Sequence, residues 1–273
     1  MIKKYKPTSP GRRDQTTLIR AGKKANKKIL KTLSHGLGGS LGRSHGKISV
    51  HHKKRGTKKK YRTIDFKRSK RNIEGKVISI DYDPFRTCDI ALISYLDGDK
   101  RYILASEGLK EGSIVKSGDK VDIVEGYAMQ LKNIPVGTFI HNIELYPGGG
   151  GKFVRSAGLS AQITAKEKGY VNVKMPSGEV RQFLDKCFAT IGVLNNSAWN
   201  LVKIGKAGRK AHMGVRPTVR GKSKSAYDHP LGGSYRQKMG KQPVDRWGNK
   251  SKGKKTRKRM HTNKYIVKDR RQK

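Results

Sequence analysis

The distribution of charge along the chain is the feature that most limits how it can fold. Residues 72–202 contain fifteen Lys or Arg and fifteen Asp or Glu, so this segment has no net charge. The whole chain carries 63 basic and 20 acidic residues, a net charge of +43. The excess therefore lies in two flanking arms, with 24 basic against 2 acidic residues in 1–71 and 24 against 3 in 203–273. Because like charges repel in a compact state, we expect the core to form from the neutral segment.

The two basic arms indicate what the chain binds. They are rich in Lys, Arg, Gly, Ser and His, so apolar burial cannot offset the entropy of ordering them, and we expect them to be mostly disordered in isolation. Such an excess of cations favours a polyanion, and nucleic acid is the first candidate because bound phosphates release counterions. An anionic membrane surface would prefer a long amphipathic helix, and no apolar run is long enough to span a bilayer. The alternative is that the arms are solvated tails without a partner, but that interpretation suits short runs of charge better than arms of this size.

The neutral segment reads as an all-β protein. Short runs of β-branched and aromatic residues predict strands over 76–81, 90–96, 101–105, 121–124, 138–145, 159–165, 170–175 and 180–184. The sequences DGD at 97–99 and PSG at 176–178 predict hairpin turns. Many short strands at this spacing favour sandwiches or small barrels over a parallel sheet. Residues 118–135 are a plausible seam between two barrels, and helical turns are expected only near 107–110 and 196–201.

Outside these strands, residues 17–33 predict a short basic amphipathic helix. Four histidines of the first arm lie among glycines and cations: His35, His45, His51 and His52. No acidic or Cys ligands accompany them, so phosphate or base contacts are a better interpretation than a metal site. Cys88 and Cys187 lie far apart in apolar contexts, which predicts core thiols and suits a reducing compartment.

Two loops of the neutral segment carry candidate binding residues. The sequence YPGGGGKF at 146–153 resembles a phosphate loop, but Lys152 is followed by Phe where a Ser or Thr would bind magnesium. Its glycines instead suit close approach to a nucleic-acid backbone, with charge from Lys152 and Arg155; a plain flexible loop is the alternative. Arg86 follows a turn, where a guanidinium can bind phosphate. The alternative for Arg86 is a local salt bridge to Asp83 or Asp89.

Asp228 and His229 in the second arm raise the question of acid–base chemistry. An acid beside a His fits that role, but no Ser or Cys nucleophile can be assigned and no third group is evident to orient the imidazole. Two further readings of the chain remain open at this point: a nucleoid-like protein that compacts DNA, and an enzyme acting on RNA with His229 as its general base.

Ten motifs in order resemble one family, the universal second protein of the large ribosomal subunit in its bacterial and organellar form. Near the start are KPTSPGRR (6–13) and YRTIDFKR (61–68). The neutral segment contributes the YDP turn with Arg86, RYILA (101–105), NIPVGTFIHNIE (133–144) and PGGGGKFVRSAG (147–158). The second arm adds GKAGR (205–209), GVRPTVRG (214–221), DHP-x-GG (228–233) and KGKKTR (252–257).

The resemblance implies an OB-fold barrel over 72–120 and an SH3-like barrel over 121–202, between a basic extension at 1–71 and another at 203–273. It implies a structural role rather than an enzymatic one. The expected partners are large-subunit ribosomal RNA, neighbouring ribosomal proteins and, across an intersubunit bridge, the small subunit, but no membrane. It further implies roles in subunit joining, tRNA placement and the peptidyl-transferase region. No cofactor is expected beyond Mg²⁺ shared with the RNA.

The motifs also imply individual RNA contacts. They fall on Arg12, Arg13, Arg68, Arg86, Lys152, Arg155, Lys206, Arg209, Arg216, Arg220, His229, Lys254, Lys255 and Arg257. His229 matches a family histidine long debated as a catalytic aid. The family's second histidine is replaced here by Leu231, which weakens that role and favours RNA packing. Because the match begins at Lys6, we expect no cleavable presequence, and a ribosome of the bacterial cytoplasm or of an organelle as the location.

Overall fold

Short β-strands make up most of the regular structure, in a computed structural model that describes residues 1–20, 30–37, 41–233, 240 and 242–271. The strands in chain order are β1 (Ile2–Lys4), β2 (Thr16–Leu18), β3 (Ser34–Gly36), β4 (Arg43–Ser44), β5 (Lys47–Ile48), β6 (Lys60–Arg62), β7 (Gly75–Asp81), β8 (Ile90–Tyr95), β9 (Lys100–Leu104), β10 (Ile114–Val115), β11 (Ala128–Gln130), β12 (Phe139–His141), β13 (Ile143–Glu144), β14 (Gly151–Phe153), β15 (Ala161–Glu167), β16 (Tyr170–Lys174), β17 (Val180–Leu184), β18 (Phe188–Ile191) and β19 (Ile266–Lys268). The described helices are short: α1 (Pro10–Arg13), α2 (Ala207–His212) and 3-10 turns at Leu131–Asn133, Ser197–Leu201, Gly221–Ser223 and Met260–Tyr265. No helix among the described residues is long and apolar enough to cross a membrane.

Contacts between residues divide the chain into two compact units. The larger unit comprises Met1–Gly38, Lys58–Lys206 and Lys264–Lys273, and the smaller comprises Gly39–Thr57 and Ala207–Asn263. The smaller unit is therefore built from parts of both basic arms. The division into an arm, two barrels and a second arm, which charge and the family resemblance predicted, remains a prediction. It places boundaries along the sequence, whereas these units are defined by contacts.

The first sheet of the larger unit is antiparallel, with the order β10-β7-β8-β9. Its three longest strands match the predicted strands at 76–81, 90–96 and 101–105. The β8–β9 hairpin turns where DGD predicted it, with Gly98 at φ +82°. Backbone in that left-handed region favours glycine, which has no Cβ to clash. Val77, Ile93 and Ile103 point into one buried cluster, and because successive side chains of a strand point to opposite faces, this cluster covers one of the sheet's two apolar faces.

The second sheet has seven strands in the order β11-β18-β12-β15-β16-β17-β19. The β16–β17 hairpin confirms the strands predicted at 170–175 and 180–184 and the turn between them. Met129, Ile140, Ile163, Val173 and Phe183 pack in its core. The two small antiparallel sheets confirm the predicted all-β fold class of an OB-fold barrel followed by an SH3-like barrel.

A third apolar cluster lies against the first sheet of the larger unit. Ile90, Tyr102 and Leu104 of the first sheet pack there with Ala157 and Leu194. Both predicted core thiols are found: burial raises the pKa of Cys88 to about 11 and that of Cys187 to about 12. Neither forms a disulfide.

Several predicted elements differ from the structure. Residues 121–124 form no strand, and Ile123 and Val124 are exposed. The strand predicted over 138–145 is interrupted at Asn142, whose φ of +51° breaks the ladder into β12 and β13. The turn at 107–110 is not helical, whereas the 3-10 helix at Ser197–Leu201 matches its prediction.

Parts of the arms are built onto the barrels of the larger unit. The late strand β19 pairs with β17 at the edge of the second sheet, whereas β1 pairs with β2 and β3 with β6 in two separate two-stranded sheets of the first arm. The helix predicted over 17–33 is wrong at its start, because Thr16–Leu18 is a strand. Residues 21–29 of that prediction lie outside the described residues.

Candidate nucleic-acid interface

Three of the predicted RNA-binding cations line one open groove of the larger unit. Arg86, Lys152 and Arg155 border a cavity of about 570 Å³. The rest of its lining mixes aromatic, apolar and hydroxyl side chains, namely Phe85, Thr87, Phe153, Val154, Ser156, Leu159, Met175, Pro176 and Ser177. A groove with cationic walls and aromatic patches suits both a phosphate chain and the faces of bases.

One aromatic ring holds the two arginines of this groove together. The guanidinium carbons of Arg86 and Arg155 lie 5.0 Å and 4.7 Å from the centroid of the Phe66 ring. Two like charges repel, and the electron-rich face of a ring offsets part of that cost. No sequence pattern linked Phe66 to these arginines, because it lies 20 positions before Arg86 and 89 before Arg155.

Arg86 is further oriented by its own neighbours. Its Nε lies 3.2 Å from Oδ2 of the buried Asp83, and its Nη2 donates to the Tyr61 hydroxyl at 3.2 Å. The local salt bridge considered from the sequence is therefore present. A guanidinium has five N–H groups in a planar fork, so this pairing orients the side chain, which is 16% exposed, and leaves other N–H groups to donate into the groove that it lines.

The glycine loop at 146–153 is held by a buried carboxylate. Glu144 accepts hydrogen bonds from the backbone N–H groups of Gly148 at 3.2 Å and Gly150 at 2.9 Å. The N–H of Gly149 donates to the Tyr146 carbonyl, and that of Gly151 donates to the Phe66 carbonyl. All four glycine N–H groups are thus used within the protein.

These internal bonds decide how the loop can bind. A phosphate cradle needs backbone N–H groups directed at the ligand, and here they are directed inward. The positive charge must come from Lys152, which is exposed, and Arg155, whose Nη1 donates to the Gly151 carbonyl at 3.3 Å. Val154 between them has φ +53°, a strained value for a β-branched residue that is typical of functional sites.

Arg68 corrects one prediction. Its side chain is 3% exposed, and its Nη2 donates to the Gly126 carbonyl at 3.2 Å. Burial lowers its pKa, although the guanidinium stays charged. In this structure Arg68 serves the packing of the larger unit and is not presented to a phosphate.

Another three predicted cations meet where the two arms pass each other in the larger unit. Arg12 and Arg13 end helix α1 and are exposed. Lys206 lies beside them, since a Cβ placed on Gly11 would be 3.4 Å from its Cδ. The backbones are joined as well, with the N–H of Thr16 donating to the Lys203 carbonyl at 2.9 Å.

The smaller unit holds the remaining predicted residues. Backbone bonds join its two segments, for example from Lys54 N–H to the Gly214 carbonyl and from Arg216 N–H to the His52 carbonyl, both at 3.0 Å. Arg209 lies on α2. Exposed cations follow along the second segment: Arg216, Arg220, Lys254, Lys255 and Arg257.

The tautomer of His229 bears on the acid–base hypothesis. Its Nδ1 accepts a hydrogen bond from the Leu231 N–H at 3.0 Å. In the neutral ring the proton is therefore on Nε2, and the nitrogen with a lone pair is already occupied. Asp228 is held by the Ser225 hydroxyl at 3.1 Å. This arrangement favours packing over a general-base role.

No group of three His, Cys, Asp or Glu side chains that could hold a metal ion comes together in the part of the chain that the structure describes. His51, His52 and His35 instead contact protein groups: the His52 Nδ1 donates to the Pro217 carbonyl at 3.1 Å, and the His35 ring packs on Tyr61.

Comparisons with known proteins agree across the chain. Residues 12–117 match the family described as Ribosomal Proteins L2, RNA binding N-terminal domain, and residues 124–248 match Ribosomal Proteins L2, C-terminal domain. A large ribosomal subunit protein uL2 from Helicobacter acinonychis is 50% identical over 97% of this chain and 97% of its own length. The protein of the same name from Helicobacter hepaticus is 48% identical over 97% of this chain and 98% of its own length.

Proposed function

The chain belongs to the uL2 family of large ribosomal subunit proteins, and from this we propose that the groove at Arg86, Lys152 and Arg155 grips large-subunit ribosomal RNA. As a member of that family it is a structural protein of the ribosome and not an enzyme. The observation that carries the proposal is the pair of guanidiniums held over Phe66. Fixing two cations in advance reduces the side-chain entropy lost when phosphates bind.

The proposed mode of binding is electrostatic, with shape as the main source of selectivity. Folded RNA offers phosphates and splayed bases at close range, and side chains read few base edges in its helices. The exposed cations of the arms add contacts along narrow paths between RNA helices. Segments outside the paired strands order as they bind, so counterion release offsets the entropy of ordering.

The salt dependence of binding tests the groove. Arg155→Gln and Lys152→Gln are compared with Lys110→Gln, which removes an exposed cation of the first barrel, in filter binding to large-subunit ribosomal RNA transcribed in vitro. We expect each groove variant to lower the slope of log affinity against log salt by about 0.7–0.9, the effect of one phosphate contact. Slopes that match those of the wild type and of Lys110→Gln would contradict the proposal.

Limited trypsin digestion tests the ordering of the arms. In the free protein we expect cleavage within 1–60 and 205–273 while the barrels survive, and protection of both ends once RNA is bound. Within those ranges β1, β2 and β19 are paired with other strands, so cleavage should be slowest there. Equal cleavage along the whole chain, with and without RNA, would refute this part of the proposal.

We further propose the finer roles that the family resemblance implies: subunit joining, tRNA placement and a position of the second arm near the peptidyl-transferase region. Besides the RNA, the proposed partners are neighbouring ribosomal proteins and the small subunit. Mg²⁺ is proposed to bridge the basic arms and the RNA phosphates. The proposed location is the ribosome of a bacterial cytoplasm, as in the Helicobacter relatives, with an organellar ribosome as the alternative. Sedimentation in a gradient at high salt tests whether the protein associates with the large subunit. Depleting the protein and measuring the fraction of joined subunits tests the proposed contact with the small subunit.

A catalytic contribution by His229 is the second candidate for that region. His229→Gln separates the roles when subunit assembly and peptide-bond formation are measured apart. We expect any loss to appear in assembly, since Nδ1 is bonded to Leu231. A loss confined to the chemical step would favour catalysis instead.

A further inference from the structure

An exposed tryptophan stands at the tip of a preformed turn in the smaller unit. Val244 and Lys250 pair across the turn. The Asp245 carboxylate fixes it by accepting from the N–H of Trp247 at 2.9 Å, the N–H of Asn249 at 2.8 Å and the Asn249 side-chain amide at 3.0 Å. Gly248 completes it with φ +81°. These bonds together hold the tip of the turn in one conformation.

The indole at this tip is not part of a core. Trp247 is 73% exposed. The His51 ring meets it edge-on, with 6.4 Å between ring centroids, and Arg246 donates through Nη1 to the His51 Nε2 at 2.8 Å. Because a guanidinium only donates, this Nε2 must be the unprotonated nitrogen. His51 and Arg246 thus brace the indole from one side and leave most of the ring open.

The charge around the indole limits what can cover it. From Asp245 to Arg259 the sequence has eight Lys or Arg and one acidic residue, Asp245, whose carboxylate accepts hydrogen bonds within the turn. A partner for the open ring must therefore be anionic as well as flat or apolar. An unpaired nucleotide meets both conditions, since its base stacks on an aromatic face and its phosphates meet the flanking cations.

We propose that Trp247 stacks on an unpaired base of large-subunit ribosomal RNA, with His51 and Arg246 holding the indole in place. This rests on the proposed function, because it requires that the second arm enters RNA. It adds a contact that is not electrostatic: stacking depends little on salt, whereas the cations beside it bind phosphate through counterion release.

Fluorescence offers a direct test because the chain has two tryptophans. The other, Trp199, is half-buried beside the Arg20 guanidinium at 4.6 Å. Trp199→Phe keeps an aromatic ring there and leaves Trp247 as the only indole. On titration with large-subunit ribosomal RNA transcribed in vitro, we expect the Trp247 emission to be quenched and to saturate together with binding.

Affinity measurements supply the second readout. Trp247→Leu should bind the same RNA about 5- to 150-fold more weakly, the range for one stacked base, with an unchanged salt slope. Trp247→Phe should keep most of the affinity. The matched control is Phe139→Leu, which removes an aromatic ring that is 50% exposed on β12 and should bind as the wild type does.

The outcomes separate this inference from the function on which it rests. If wild-type protein binds the RNA but Trp247→Leu binds equally well and the emission does not change, the stacking contact is refuted and the RNA-binding function stands. If wild-type protein itself fails to bind, the proposed function fails first. If emission changes only when other ribosomal proteins are added, the indole fills a protein pocket and the inference is overturned.

Discussion

The buried imidazole of His141 should make the second barrel sensitive to acid. His141 ends β12, is 1% exposed, and its Nδ1–H donates to the Gly192 carbonyl at 2.9 Å. Burial lowers its pKa from 6.5 to about 4, and the charge of the buried Arg68 contributes to the shift. The folded protein thus holds His141 neutral at a pH where the unfolded chain would protonate it.

The sign and size of the effect follow from linkage. Below pH 6.5 the unfolded chain binds a proton that the folded protein does not. The contribution of neutral His141 to the free energy of unfolding is therefore fully present above pH 6.5 and is lost as the pH falls toward 4. With pKa values of 6.5 unfolded and about 4 folded, the free energy of unfolding should fall by about 2 kcal/mol between pH 8 and pH 5. The limiting loss is about 3 kcal/mol at still lower pH.

The assay compares the full-length wild type with His141→Gln, whose side-chain amide can still donate toward Gly192 but cannot titrate. Urea unfolding of both proteins is followed by Trp199 fluorescence in a Trp247→Phe background, at intervals from pH 8 to pH 5. Carboxylates titrate in both proteins, so the difference between them isolates His141. We expect the wild type to lose about 2 kcal/mol more than the variant. Parallel pH dependences would refute the assignment of the shift to this residue.

Three further predictions concern the backbone and the loop. In urea unfolding, Gly158→Ala should destabilise the fold by roughly 1–3 kcal/mol more than Gly178→Ala. Both glycines have positive φ, so the backbone strain of an alanine is matched. Only at Gly158 would the new Cβ also lie 2.5 Å from the Ser197 Cα. Glu144→Gln should cost roughly 1.5–3 kcal/mol and speed hydrogen exchange at Gly148, and unchanged exchange would contradict its role in the loop. Deleting residues 264–273 removes β19 and exposes the edge of β17, so light scattering should reveal self-association that the full-length chain does not show.

The fold of the neutral segment was largely predictable because local signals agreed there. At β8–β9, short runs of β-branched and aromatic residues meet a DGD turn, and both signals favour the same hairpin. Residues 121–124 have the same β-branched composition, but they find no partner strand and remain irregular. Strand pairing is a long-range property, so propensity alone could not separate the two cases.

The candidate site was predicted in its charges but not in its geometry. Arg86 and Arg155 were found from loop position and motif, yet the ring that joins them, Phe66, comes from a distant part of the chain. Arg68 belongs to the same kind of basic motif, and only burial shows that it packs inside. Trp247 gave no signal in the sequence, because an exposed and a buried tryptophan look alike until their surroundings are known.

The two segments of the smaller unit are far apart in the chain and are therefore synthesised at different times. Its first segment, Gly39–Thr57, leaves the ribosome about 150 residues before Ala207 begins the second. At typical elongation rates of 5–20 residues per second, that segment waits roughly 8–30 s for its partner. During this interval the segment has no partner segment to pack against, so we expect proteases to cleave it in nascent chains stalled before residue 207 and to spare it in completed chains bound to ribosomal RNA.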